Sequence, residues 1–198
     1  MKIYFDTEFT GLQKNTTLIS IGLISEDGKS FYAEFSDYNK ELVDDWIQEN
    51  VIDNLLFNKD VCKWEKRVAD TQIYGNKSII RRALKQWLSQ FDTVELYSDV
   101  SHYDMVLFID IFKHAFSLPS NVSPCCIDIN QRIYEHKLFG CDTLEKAFDI
   151  SRESIVEMYI DRIDTVIDES SKHNSFYDTT IIKAIDEIID LEIIKKNC

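Results

Sequence analysis

No apolar run in the 198 residues approaches the roughly 20 needed to cross a bilayer, so no membrane-spanning helix is expected. The N-terminus meets an acid, Asp6, before any signal-peptide core could form, and a cytoplasmic location follows as the expectation. The five cysteines (62, 125, 126, 141 and 198) contain no C-x-x-C pair. Adjacent Cys125 and Cys126 make a poor start for a disulfide or zinc framework, and reduced thiols are expected. Basic residues are also short, 22 Lys and Arg against 35 Asp and Glu, for a formal charge of −13. That disfavours proteins that grip long duplexes through a basic patch. There is no repeat, no low-complexity linker and no domain boundary. With 44% hydrophobic residues the chain can build one well-packed domain and is too short for two of ordinary size, so residues 1–198 are read as one.

Residues 2–6 read as a strand, and 17–25 and 30–36 as a hairpin closed by Asp27-Gly28, giving three antiparallel strands at the start. The acidic stretch from Asp37 to Asn50 has helical spacing through Leu42, Trp46 and Val51, and the piece from there to Gly75 reads as irregular. From Ser78, Ile79, Ile80, Ala83, Leu84, Trp87, Leu88 and Phe91 predict an amphipathic helix. A strand over Val94 to Ser98 and a helix over Tyr103 to Phe116 follow, then a short strand from Cys125 to Ile129. Two short helices are expected within 142–170. A final helix over Ser175 to Lys195 carries Ile181, Ile182, Ile185, Ile188 and Ile189 on one face.

Five residues in a fixed order carry chemistry: Asp6 and Glu8 in FDTEFTGL, Asp104 in SHYDMVLF, and His173 and Asp178 in HNSFYD. Asp6 and Glu8 end an apolar strand, and because strand side chains alternate, both carboxylates point the same way. Converging carboxylates repel, and hard divalent cations relieve that repulsion. Two cations about 3.5–4 Å apart can stabilise both the attacking and leaving oxygens of a phosphodiester displacement. Each acid also has a plainer reading. Ser101-x-x-Asp104 and Ser175-x-x-Asp178 fit the spacing of a helix capping box, and Asp6 and Glu8 could be surface acids after a strand. Cap and ligand are compatible roles, since a helix start is a rigid place from which to aim a carboxylate. His173 lies in a polar segment where a lone histidine is usually just solvated. Five residues before Asp178, it can instead reach an attacking water as general base, with an unperturbed pKa of about 6.5. Among the other histidines (102, 114 and 136) none has an aspartate at that spacing, and His102 reads as a solvated neighbour of Asp104. Gly11 permits close backbone approach. Phe9 and Tyr103 could offer faces to a base or pack in the core. Arg81, Arg82 and Lys85 read as a solvated helix face, and Lys14 as the better phosphate contact.

This set resembles the DEDDh branch of the ribonuclease H-like 3′-to-5′ exonucleases, whose motifs are Asp-x-Glu, a mid-chain Asp opening a helix, and His-x-x-x-x-Asp. Within that branch the chain is most similar to the ribonuclease AS group of adenylate-preferring exoribonucleases. The likeness extends through TTLISIGLISEDGKSFYAEF, Trp46 in a following helix, and VELYSDVSHYDMVL. It covers residues 1–116 and, by motif, the His173 region; residues 135–172 align with nothing. Many DEDDh enzymes have Asn four residues before the second-motif Asp, where this chain has Val100, and ribonuclease AS-like sequences tend to be apolar there. Asp99 is an extra acid with no assigned role.

The resemblance implies a ribonuclease H-like mixed five-stranded sheet flanked by helices. It implies two Mg²⁺ or Mn²⁺ ions held by Asp6, Glu8, Asp104 and Asp178, with His173 as general base. The substrate would be single-stranded RNA 3′ ends, cut to nucleoside 5′-monophosphates, and the assembly a homodimer. Thr7, Phe9, Gly11 and Tyr103 would meet the terminal nucleotide, with Leu12 wedged beside its base; the plain alternative is a turn that buries Leu12. A DNA exonuclease of the same fold is the nearest rival, because discrimination rests on contacts to the 2′-hydroxyl. A catalytically silent binding module would be marked by loss of one of the five residues, and all are present. The acidic charge fits an enzyme that holds only a few terminal nucleotides while its metals supply the local positive field.

Overall fold

A computed structural model describes residues 1–167 and 174–197. The chain begins with strands β1 (Lys2–Phe9), β2 (Leu18–Ser25) and β3 (Ser30–Phe35), followed by helix α1 (Asp45–Asn50). A short ribbon of β4 (Phe57–Asn58) and β5 (Lys63–Trp64) leads to β6 (Thr71–Gly75) and α2 (Lys77–Leu88). Then come β7 (Val94–Ser98), α3 (His102–Ile111), β8 (Val122–Asp128), α4 (Ile129–Glu135), α5 (Leu144–Asp149), α6 (Arg152–Tyr159) and α7 (Ser175–Asn197). The central sheet has the order β6-β3-β2-β1-β7-β8. β2 is antiparallel to both its neighbours, and the pairs β1·β7, β3·β6 and β7·β8 are parallel. Among the described residues, no helix is long and apolar enough to cross a membrane.

The three antiparallel strands and the Asp27-Gly28 turn stand as expected: Gly28 takes φ +88°, its N–H donates to the Ser25 carbonyl, and the Ser25 N–H donates to Lys29. The sheet has six strands, not five. β6 lies in the stretch expected to be irregular, pairing with β3 from Phe31↔Thr71 to Phe35↔Gly75. Its middle residues are only half-buried, so it lacks the apolar alternation of a core strand, and its pairing with β3 comes from a distant part of the chain. Tyr74 of β6 stacks on Phe57 of β4 with centroids 4.0 Å apart. α3 is shorter than expected because Lys113 turns to φ +81°, which ends the helix before a 3₁₀ turn at Ala115–Ser117. α1 buries Ile47, with Val51 behind it, against Ile19 and Tyr38, and leaves Trp46 65% exposed.

Strand alternation divides β1 between two cores. Ile3 and Phe5 join Ile80, Leu84, Leu88, Leu107, Phe108 and Ile111 of α2 and α3 on one face. Tyr4 joins Ile181, Ile185, Ile188 and Ile189 of α7 on the other, each fully buried isoleucine stabilising by about 1.5–3 kcal/mol. Asp6 and Glu8 continue the Tyr4 face. α7 can descend onto that face because β2 carries Gly22 where it passes: a Cβ there would sit 2.7 Å from both Phe176 Cα and the Ser175 carbonyl oxygen. Thr179 Oγ1 donates to the Gly22 carbonyl at 3.1 Å, and the Ser20 and Ser175 hydroxyls are 2.9 Å apart. These contacts seat the first turn of α7, which carries Asp178, beside the end of β1.

Candidate active site at the end of β1

Asp6, Glu8 and Asp178 converge there, each half-buried, with one carboxylate oxygen from each within 4.8 Å of the others. Asp178 arrives from α7, whose helix is capped by Asn174: its side-chain oxygen accepts from Phe176 N–H at 2.9 Å. Ser175 is therefore not the cap, and Asp178 is not the partner of a capping box. The Ser101 side chain likewise makes no capping bond to α3. Both plain readings of these aspartates as capping residues fall away.

Asp104 does not join the three. It is buried, and its two oxygens are occupied by the hydroxyls of Thr7, at 2.5 Å, and Ser98, at 2.8 Å. It stands close enough that its charge is the foremost electrostatic push on Asp6. Burial, then the charges of Asp104, Asp178, Glu8 and Asp99, raises Asp6 well above the usual carboxylate range. Burial, with Asp178 and Asp104, brings Glu8 to about 8. Burial, with Glu153, Asp99 and Asp104, brings Asp178 to about 7. Asp104 reaches only about 6, because the Thr7 and Ser98 hydroxyls favour its ionised form against the cost of burial. The centre thus holds more negative charge than it can comfortably ionise, and hard cations are what such all-oxygen donor sets accept.

Beside Glu8 opens a cavity of about 490 Å³ with an apolar lining from Phe9, Leu12, Leu42, Trp46, Ile47 and Val51 and a rim that includes Asp44 and Gln13. Gly11 turns at φ +117°, and Leu12 stands 73% exposed at the cavity edge, which removes the reading of a turn that buries it. Tyr103 fixes this turn: its hydroxyl donates to the Leu12 carbonyl at 2.5 Å, and its ring stacks on Phe9 with centroids 5.4 Å apart. Of the five residues expected to meet a nucleotide, Phe9, Gly11 and Leu12 line this cavity, Tyr103 braces it, and the Thr7 side chain points to Asp104 instead. His173 lies outside the described residues. His102 is exposed and lines a separate cavity with Cys126 and Asp128. Trp46, read in the sequence only as part of a helix and of the family likeness, also lines this cavity.

Asp99 also gains a partner: the Arg152 guanidinium of α6 approaches both its oxygens, Nε at 2.8 Å from Oδ2 and Nη2 at 3.0 Å from Oδ1. Sequence spacing holds no signal for that pair.

A half-buried carboxylate cluster at the end of a sheet strand, with an apolar cleft alongside, defines a site suited to a cation and a small planar group. The chain matches no protein-family model. It is similar to two curated proteins of Mycobacterium tuberculosis, named 3′-5′ exoribonuclease MT2234.1 (strain CDC 1551 / Oshkosh) and 3′-5′ exoribonuclease Rv2179c (strain ATCC 25618 / H37Rv). Each is 27% identical over 143 residues, which cover 71% of this chain and 77% of the relative.

Proposed function

We propose that the protein is a metal-dependent 3′-to-5′ exoribonuclease of the DEDDh type, closest in character to the ribonuclease AS group, that trims single-stranded RNA ends to nucleoside 5′-monophosphates. The observation that carries this reading is the meeting of Asp6, Glu8 and Asp178 within 4.8 Å beside the Leu12–Trp46 cleft. The two M. tuberculosis relatives, named as 3′-5′ exoribonucleases, support an exonuclease acting on RNA.

The donor set fits a pair of Mg²⁺ or Mn²⁺ ions: three clustered carboxylates would hold them, and their proton affinities, raised first by burial and then by mutual repulsion, mark negative charge that cations would offset. Bound there, the ions would supply the positive field that steadies charge on the phosphate oxygens during in-line displacement. Asp104, its oxygens fixed by Thr7 and Ser98, adds negative charge behind the cluster and orients the end of β1. The terminal base enters the cleft between Leu12 and the exposed Trp46, while the Gly11 turn lets the sugar and phosphate approach the backbone. This sets the last phosphodiester against the carboxylates. His173 takes the proton of the attacking water, whose oxygen bonds to phosphorus as the bond from phosphorus to the leaving 3′-oxygen breaks; that oxygen takes a proton from solvent, and one nucleoside 5′-monophosphate departs from an RNA shortened by one residue.

Digestion of 5′-labelled homopolymer RNAs and matched DNAs with Mg²⁺ or Mn²⁺, resolved by length, tests the reading. A ladder shortening by single nucleotides from the 3′ end, faster on RNA and silenced by EDTA, is expected. Faster digestion of DNA would replace the substrate, and EDTA-resistant hydrolysis would remove the metal.

A further inference from the structure

We propose that Arg152 is a positioning residue of the carboxylate centre, acting through Asp99 to hold a strained turn in front of Asp104. The inference rests on the reading of that centre as a cation site. Among the described residues, Arg152 is the one cation lining a cavity of about 230 Å³ otherwise walled by Asp6, Asp99, Val100, Glu153, Asp178 and α7. Its guanidinium nevertheless offers nothing to a substrate. Nη1 donates to the Phe148 carbonyl at 2.6 Å and the Ile150 carbonyl at 2.8 Å, Nη2 donates to Asp99 Oδ1 and to Asn130 Oδ1, and Nε faces Asp99 Oδ2. Asn130 closes the ring by donating from Nδ2 to Asp99 Oδ1 at 2.5 Å.

What this ring holds is the turn between β7 and α3. Val100, directly after Asp99, has φ +54°, a left-handed backbone that a β-branched residue rarely adopts. Such a conformation persists only where its surroundings over-determine it. Here both flanks are tied: Asp99 by Arg152 and Asn130, and the Ser101 N–H by Asp128 Oδ2 at 3.1 Å, while Asp128 Oδ1 accepts from Asn130 N–H at 2.9 Å. The turn leads from Ser98, whose hydroxyl holds Asp104, to the helix that carries Asp104. Release of Asp99 would let Val100 relax toward negative φ and shift Ser98 and Asp104 against Asp6. Arg152 and the α5–α6 junction thereby gain a task at the active centre.

The test is Mn²⁺ affinity by isothermal titration calorimetry on the intact chain, with metal-free melting as a control for folding. Removing a residue that orients a metal site typically costs about 10–100-fold in affinity, and that loss is expected for R152M. R152K, which keeps the charge and loses the planar fork, should lose as much. Glycine takes positive φ without strain, so V100G in the R152M background should recover at least half of the loss on a logarithmic scale. Wild-type affinity in R152M or R152K, or no recovery in V100G/R152M, would overturn the proposal while leaving the cation site in place. Absence of Mn²⁺ binding by the wild type would remove the cation reading and this inference with it. Should R152M fail to fold, R152K carries the same comparison.

Discussion

At the scale of single residues, the acids that cluster at the end of β1 were legible in the sequence and their surroundings were not. The period-two alternation of a strand is enough to put Asp6 and Glu8 on one face, and α7 brings Asp178 to them. No such rule connects Thr7 or Ser98 to Asp104, or Arg152 to Asp99, because those bonds depend on where distant elements pack. Trp46 makes the same point: helical spacing groups it with Leu42 and Val51, yet Ile47 next to it takes the core position, and the indole is left over the cleft. Stacking on one base is worth roughly 1–3 kcal/mol. Trp46→Ala should therefore raise KM roughly 5- to 150-fold on an RNA oligonucleotide, with kcat within a few-fold of wild type. Its 65% exposure predicts an almost unchanged melting temperature. Steady-state kinetics with an unaltered KM would exclude Trp46 from the base site.

At the scale of elements, the long helix α7 and the hairpin of β2 and β3 were readable from periodicity and turn chemistry, and β6 was missed because an edge strand shows little of either. The contact that seats Asp178 beside the end of β1 is the one between α7 and β2. Gly22 reads in sequence as an ordinary residue of an apolar strand, and only the packed helix reveals why a hydrogen is needed there. Gly22→Ala would drive a methyl group into backbone atoms of Ser175 and Phe176, which cannot yield as a flexible side chain would. α7 must lift by several tenths of an ångström or more, carrying Asp178 away from Asp6 and Glu8. Overpacking of this kind costs typically 1–3 kcal/mol, about 2–4 °C in melting temperature for each kcal/mol in a chain of this size. Turnover should fall further than the stability loss explains, with the required Mn²⁺ concentration rising. A variant that melts lower yet binds Mn²⁺ normally would show that α7 lifts without disturbing the site.

At the scale of the whole molecule, the formal charge of −13 and the raised proton affinities of the acidic centre combine into a pH dependence with a definite sign. In the folded protein Asp104 titrates near 6, Asp178 near 7 and Glu8 near 8, all above their ordinary values near 4. Between those limits the folded state binds more protons than the unfolded state, so stability falls as pH rises. Metal-free protein should then lose melting temperature progressively from about pH 4 to pH 8. Divalent cations reverse the balance, because they compete with protons for the same oxygens and stabilise only the native state by mass action. With millimolar Mn²⁺ the loss should flatten, and the gap between the two melting curves should widen as pH rises through 6 to 8. Glu8→Gln removes one of the titrating groups and one of the proposed ligands, so it should raise the metal-free melting temperature at pH 8 and narrow the gap. Curves that stay parallel across this range, in wild type and variant alike, would mean that the acids at the end of β1 do not meet a cation there.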